Sequence, residues 1–287
     1  MTRRIEIILG PTGVGKTSYA IRRALECGSP VISCDSRQIY KELCIGTAVP
    51  SEEELAAVKH YFIRTVPIAE NYTAGIYEAQ AINLVNSLFA QGHDTLVMCG
   101  GSMLYIDAFC YGLDDFPEVP LQLRRHLMDC LQSEGVEVLA EQLKELDPVS
   151  YAEIDLSNGQ RVIRALEVSM YTGEPFSSFK TRRFKDRDFE IVKIGLERPR
   201  EELYDRINAR VLDMMDRGLE QEARSMLPYR ELPALQTVGY KEMFSYFDGE
   251  YDLDEAVRRL QVNTRHYAKR QLTWWRRDPE INWVSLK

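Results

Sequence analysis

No apolar stretch in this chain approaches the roughly 20 residues that a membrane-spanning helix needs, and none of its six cysteines forms a CxxC pair. The cysteines stand at 27, 34, 44, 99, 110 and 130, with none beyond. That spacing excludes a disulfide scaffold and a C-terminal zinc finger, and it predicts reduced thiols in a cytoplasmic protein. Internal repeats and low-complexity segments are missing as well. The opening MTRRIEIILG enters a strand-like run by Ile5, too early for a signal or transit peptide. A surplus of base is also lacking. Lys+Arg total 36 against 44 Asp+Glu, a net charge of −8, which opposes general affinity for a polyanion. What is present suffices for one large domain or two modest ones: 287 residues, 45% hydrophobic and 28% charged.

The charge is unevenly spread. Residues 134–155 carry seven acids and one base, whereas 258–277 carry seven Lys/Arg and no acid, and 180–187 carry five bases and one acid. Local basic surfaces on an acidic chain point to one specific anionic partner.

The first third alternates short apolar runs with helical patterns. Ile5–Leu9, Val31–Cys34 and Thr95–Cys99 read as strands, with helical stretches at 20–25 and around Ala79–Phe89. Alternation of this kind predicts an α/β fold with a parallel sheet flanked by helices, whose ligands bind at the carboxyl ends of the strands. From about Phe116 the character changes. Residues 121–172 read as helical throughout, with Leu123, Leu127 and Leu131 spaced by four, and the next strand is expected at Ile191–Leu196. The expected organisation is therefore a core of 1–115 and 189–287 interrupted by a helical insertion at 116–188. In the last third, Leu203, Ile207, Val211 and Met214 mark one helix face. Leu253, Val257, Leu260, Thr264, Ala268, Gln271 and Trp275 mark a second, longer one.

Residues 10–17 read GPTGVGKT between the first strand and the first helix. This is the P-loop pattern in its required context. Gly10, Pro11, Thr12, Gly13, Val14 and Gly15 form a turn whose backbone N–H groups can face an anion, at a helix N-terminus that favours negative charge. Lys16 is placed to reach terminal phosphate oxygens, and Thr17 to hold a Mg²⁺. The motif specifies a phosphate or diphosphate binder of the P-loop NTPase-like class; it does not specify ATP. Hydrolytic P-loop proteins also keep an Asp at the end of an apolar strand. Here the 95–99 run ends in Gly100-Gly101-Ser102, and the acid that follows an apolar run is Asp35, in VISCDSRQIY. Its type and position suit a helix N-cap and a catalytic carboxylate equally.

Further segments occur in a fixed order: DSRQIY at 35–40, GTAVP at 46–50, GGSMLYIDAFCYG at 100–112, QRVIRALEV at 160–168, LYDRINARVLDMM at 203–215, VGYKE at 238–242 and TRHYAKRQLTWWRR at 264–277. With the P-loop they resemble the bacterial tRNA isopentenyltransferases (tRNA dimethylallyltransferases), over essentially the whole chain. The resemblance implies transfer of a dimethylallyl group from dimethylallyl diphosphate to N6 of adenosine 37, in the anticodon stem-loop of tRNA. It also implies Mg²⁺ as cofactor and a cytoplasmic monomer. In that family the P-loop holds the prenyl donor's diphosphate, which agrees with the missing strand-end acid.

By the same resemblance Asp35 corresponds to the general base, and Ser36, Arg37 and Gln38 to the segment that holds the base with it. Thr12, Lys16 and Thr17 correspond to the diphosphate and Mg²⁺ contacts, and Arg210 to an arginine that reaches the diphosphate from the opposite side. Ser102 and Arg124 correspond to positions beside the tRNA, as does the segment Gln160, Arg161, Val162, Ile163 and Arg164. Ser102 replaces the more usual Thr, and Val49 the more usual Lys.

On the long C-terminal helix, Arg258, Arg265, Lys269 and Arg276 fall on one face, with Tyr267 and Trp274 among the bases. This face is expected to meet RNA, or else to be an ordinary solvated surface. Arg206 reads as a surface salt-bridge residue. The competing readings are an adenylate dimethylallyltransferase, a small-molecule P-loop kinase, and an RNA-binding module that is not catalytic.

Overall fold

Continuous runs of Ile, Leu and Val can be buried on both faces only in a sheet covered on both sides, and they occupy its centre. The computed structural model describes residues 3–181 and 185–286. Strands β1 (Arg4–Leu9), β2 (Val31–Ser33), β3 (His60–Tyr61), β4 (Thr95–Cys99), β5 (Glu190–Glu197) and β6 (Asn282–Ser285) form one sheet in the order β3-β2-β4-β1-β5-β6. Every pairing is parallel; Arg4 stands opposite Thr95 on one side and Glu190 on the other. From Ile5 to Leu9, β1 is buried without interruption. It lies between β4 and β5, so its carboxyl end opens into the crevice where such sheets bind ligands.

The helices of the core are α1 (Lys16–Cys27), α2 (Glu52–Ala57), α3 (Ala74–Ala90) and α4 (Met103–Tyr111). The insertion contributes α5 (Leu121–Glu134), α6 (Val136–Leu146), α7 (Pro148–Glu153) and α8 (Gly159–Thr172). The chain then returns through β5 to α9 (Arg200–Asp216), α10 (Leu219–Ser225), α11 (Tyr240–Phe247) and α12 (Leu253–Trp275). The α9 stripe of Leu203, Ile207, Val211 and Met214 is buried as its spacing requires. Ile8, Val14, Ala20, Val97, Leu196, Ile207 and Ala268 share one core that joins the sheet to α1, α9 and α12.

Two compact units emerge: residues 1–111 with 186–287, and residues 112–185. The division falls three to four residues before the expected 116–188 at each end: at the start Asp114 accepts the Thr181 hydroxyl (2.6 Å) within the insertion, and at the end polar contacts hold Arg187 to the core. Lys193 donates to Asp278 (2.7 Å) and to the Tyr111 hydroxyl. Arg187 donates to the Phe109 and Ala108 carbonyls and pairs with Glu78 (3.0 Å).

The insertion has its own core of Leu127, Leu139, Leu143, Val162, Ile163, Ala165 and Leu166. It is not one helical run. Gly135 (φ 90°) separates α5 from α6, and fully buried Asp147 starts α7 by accepting the Ser150 N–H (3.0 Å).

Two strands were not expected. β3 is two residues long, and β6 follows the charged RRDPE at the sheet's other edge. Neither carries an apolar run, so each exists through pairing with its neighbour rather than through its own pattern.

Candidate active site

The phosphate loop leaves β1 at Gly10, whose φ of +147° brings the backbone against β5. A Cβ there would stand 2.7 Å from the Leu196 carbonyl oxygen, so only glycine fits. Lys16 opens α1 and folds back over the loop, donating to the Gly10 (2.9 Å) and Pro11 (3.0 Å) carbonyls. Burial pulls its amine down to about 8, against the raising influence of Cys99 and Asp35, while Arg210 adds to the fall. The Thr17 hydroxyl lines a cavity beside the loop and has no hydrogen-bond partner among the described residues.

Arginines hold the loop from α9 and from just before it. Arg198 donates to the Val14 carbonyl (3.0 Å), Arg206 to the Gly13 carbonyl (2.9 Å), and Arg210 to the Thr12 hydroxyl (3.3 Å). Arg206 thus ties α9 to the phosphate loop and lines the cavity beside it, in place of the expected surface salt bridge. Burial lowers the Arg210 guanidinium, opposed by Asp35 and Asp213. Gln271, read from sequence as one member of an apolar stripe, links two loops. It accepts from the Thr12 N–H (2.8 Å) and donates to the Gly101 carbonyl (2.7 Å).

Asp35 follows β2. Its Oδ1 accepts the Arg37 (2.9 Å) and Gln38 (3.2 Å) N–H groups, which caps the turn. Oδ2 accepts no hydrogen bond among the described residues. The cap and a chemical role are therefore compatible, one oxygen serving each. Ser102 fixes the same turn: its hydroxyl accepts from the Ser36 N–H (2.8 Å) and donates to the Ser36 hydroxyl (3.0 Å). Gly100 lies so close to the Cys34 backbone that a Cβ would stand 2.5 Å from it. No acidic side chain could replace that glycine.

Gln38 supports the neighbouring loop. Its amide donates to the Thr47 (3.1 Å) and Ala48 (2.8 Å) carbonyls. The same loop rests on Glu222, whose carboxylate accepts the N–H groups of Cys44 (2.9 Å), Ile45 (2.8 Å) and Gly46 (2.8 Å) and the Tyr240 hydroxyl (2.7 Å). Sequence reasoning missed Glu222, for the backbone groups it holds are more than 170 residues away.

These groups line two cavities of the core. One, about 600 Å³, contains the phosphate loop, Lys16, Thr17, Gln38, Arg206, Arg210 and Arg217. The other, about 510 Å³, contains Ser36, Arg37, Ser102, Met214, Asn263 and Arg270. Thr12, Asp35, Thr47, Arg210 and Tyr267 belong to both.

The insertion, taken by itself, redistributes the expected tRNA contacts. Val162 and Ile163 are fully buried in its core, so their side chains cannot touch RNA. Glu167, itself buried, accepts both Arg124 (3.0 Å) and Arg164 (2.7 Å), and Arg124 also donates to Gln160 (3.0 Å). Arg161 is exposed.

Along α12 the expected basic face is partly spent on the protein. Arg258 and Arg259 pair with Glu255, Arg265 donates to Asn208, and the Trp274 indole donates to Asp107 (3.0 Å). Lys269 and Arg277 are exposed and hold no ion pair among the described residues. In the 180–187 cluster, Arg182 and Arg183 lie outside the described residues.

A phosphate-loop motif with no strand-end acid, beside a carboxylate that lines a second polar cavity as well, defines an α/β protein of the P-loop class. Comparison with known proteins narrows the class. A family profile described as IPP transferase matches residues 38–278, and this chain belongs to that family. It is 50% identical to tRNA dimethylallyltransferase 2 of Parabacteroides distasonis over 96% of this chain and 92% of the relative. Identity is 52%, with the same coverage, to the enzyme of that name from Porphyromonas gingivalis. Among solved structures it is similar to the tRNA isopentenylpyrophosphate transferase of Bacillus halodurans (TM-score 0.71, 36% identity, 99% of this chain and 90% of that one). It is also similar to a eukaryotic dimethylallyltransferase described as acting on tRNA (TM-score 0.78, 25% identity, 99% and 74%).

Proposed function

We propose that this chain transfers the dimethylallyl group of dimethylallyl diphosphate to N6 of adenosine 37 in the anticodon loop of tRNA, giving N6-(dimethylallyl)adenosine. The observation that carries the reading is the junction of the two cavities, where Asp35 and Arg210 line both. A diphosphate on the nest places its prenyl chain toward that junction, and a base entering the other cavity places its amine there.

In the proposed step the donor's C1–O bond breaks and its electron pair goes to the diphosphate oxygen. A C1–N6 bond forms, and the N6 proton passes to Asp35 Oδ2. Arg210, Lys16 and the nest stabilise the charge that builds on the leaving group. Oδ1 keeps the turn in place meanwhile. The exocyclic amine is a poor nucleophile, and a positioned base contributes about 10²–10⁴-fold.

The residues present suit Mg²⁺ arriving with the donor. Among the described residues no cluster of three or more His, Cys, Asp or Glu could hold a metal alone. Mg²⁺ usually keeps waters and substrate phosphate oxygens as ligands, and the Thr17 hydroxyl is available beside the nest. When bound, the ion would neutralise charge on the leaving diphosphate.

An anticodon-loop base is among the least costly to extract. Arg161, Lys269, Arg270 and Arg277 are among the exposed bases that hold no ion pair among the described residues, and in this reading they meet the RNA. Among the described residues no helix is long and apolar enough to cross a membrane, and the reading carries with it a cytoplasmic monomer. The test is incubation with labelled dimethylallyl diphosphate, Mg²⁺ and either unmodified tRNA or AMP, followed by digestion of the tRNA. Label in the modified nucleoside from tRNA supports the reading. Label on AMP alone would transfer it to the adenylate enzyme, and tRNA-stimulated ATP hydrolysis would favour a kinase or ATPase.

A further inference from the structure

Thr12, Asp35, Thr47, Arg210 and Tyr267 are the residues that both cavities share. A carbon passing from a donor in one to an acceptor in the other must be bordered by them. Asp35 and Arg210 have chemical roles in the reading above, and Thr12 and Thr47 belong to loops. Tyr267 brings the one aromatic surface of the set. We propose that the Tyr267 ring borders the reacting allylic carbon and directs it to the amine rather than to water; the proposal rests on the prenyl-transfer reading.

The ring is anchored through its hydroxyl. Its hydroxyl donates to the Gly101 carbonyl at 3.4 Å, and one turn further along α12 Gln271 donates to the same carbonyl and accepts from the Thr12 N–H. The tyrosine is thereby tied to the turn after β4 and, through Gln271, to the phosphate loop. Burial pushes its hydroxyl up to about 12, and Asp35 adds to the rise. It stays a neutral phenol, neither a base nor a rival nucleophile. Arg270 stands 5.7 Å from the ring centroid, at the outer limit of a cation–π contact.

As the C1–O bond lengthens, positive charge spreads over C1 and C3 of the allyl group. An aromatic face attracts such charge and occupies space that water would otherwise fill. Water reaching the carbon gives the competing reaction. Its oxygen bonds to C1 or C3 and loses a proton to solvent, while the diphosphate leaves with the C–O electron pair, so the product is a five-carbon allylic alcohol.

The experiment follows labelled dimethylallyl diphosphate into prenylated tRNA and into free alcohol, for wild type, Tyr267→Phe and Tyr267→Leu. The Phe variant is expected to keep both rate and partition within about twofold, since the ring remains. The Leu variant should lower kcat about ten- to fiftyfold with little change in either KM, the loss expected for a desolvated cation–π contact, and should raise the alcohol fraction severalfold. Tyr267→Met is a second replacement without a ring, should the Leu variant be unstable. Leu or Met at wild-type rate and partition would overturn the proposal. So would a Phe variant as impaired as Leu, which would assign the effect to the hydroxyl. Wild type that prenylates no tRNA would instead overturn the underlying reading.

Discussion

The core and the insertion both bury carboxylates, but they finish them differently. In the insertion, Asp147 has both oxygens occupied, by Ser150 and by the Ser177 N–H and hydroxyl, and Glu167 has both occupied by Arg124 and Arg164. In the core, Asp35 commits one oxygen to its own turn, its other oxygen accepts no hydrogen bond among the described residues, and the residue lines both cavities. A carboxylate satisfied at every oxygen is a strut. One satisfied at half of them, beside a cationic nest, is equipped for chemistry.

The difference can be broken most severely at Asp35. Replacement by Ala removes both the cap and the base, and prenyl transfer should fall by about 10²–10⁴-fold. tRNA affinity, measured by filter binding, should stay within a few fold because the phosphate-facing bases are untouched. Turnover near wild type at saturating substrate would reduce Asp35 to a turn cap.

Lys16→Ala should cost about 10²–10³-fold in the chemical step, the scale of losing one donor to a developing anion. The wild-type amine also gives a pH signature. A diphosphate prefers the charged amine, so affinity for the donor should weaken as pH rises through about 8, and calorimetry at pH 7 should register proton uptake smaller than at pH 8.5. An affinity flat across that range would remove Lys16 from the site.

Glu222→Ala leaves three backbone N–H groups and the Tyr240 hydroxyl without their acceptor. A loss of about 1–3 kcal/mol in denaturant stability is expected, with a raised KM as the loop bearing Thr47 loosens. Unchanged stability and KM would exclude the carboxylate as the loop's support.

The smallest effect belongs to the insertion. At Asp147 burial works to raise the carboxyl, but hydrogen bonds from Ser150 and Ser177 outweigh it and leave it below its ordinary 3.8. A lowered native value contributes stability above the unfolded value, and that contribution is lost as pH falls through the native one. Hydrogen exchange of the full chain should therefore show α7 and the 176–179 turn loosening below about pH 4, and Asp147→Asn should flatten the dependence. An equally steep profile in the variant would place the acid sensitivity elsewhere.

How much of this was legible in the sequence follows from how local each signal is. β1, β2 and β4 declared themselves because both of their faces are buried, and β5 because its apolar run Ile191–Leu196 is continuous though half-buried in part. β3 and β6 did not, being edge strands defined by a neighbour's backbone. The phosphate loop was legible because its chemistry lies in eight consecutive residues, and Asp35 because it follows a strand. Gln271 passed for a core position, since a buried amide and a buried Leu obey the same period. Glu222 left no trace because its meaning lies in a loop more than 170 residues earlier. The run QRVIRALEV misled in part, as a helix turns about 100° per residue, so that one side of the run, with Val162 and Ile163, faces the core while Arg161 stays exposed.

The division of labour between the two Asp35 oxygens has one direct test. Asp35→Asn keeps an oxygen that can accept the Arg37 and Gln38 N–H groups but removes the base. Single-turnover transfer with prebound tRNA and dimethylallyl diphosphate should then be as slow as in Asp35→Ala, while melting temperature and tRNA affinity return to wild-type values. An Asn variant that transfers the prenyl group at close to the wild-type rate would contradict the account, because the turn alone would then be all that Asp35 supplies.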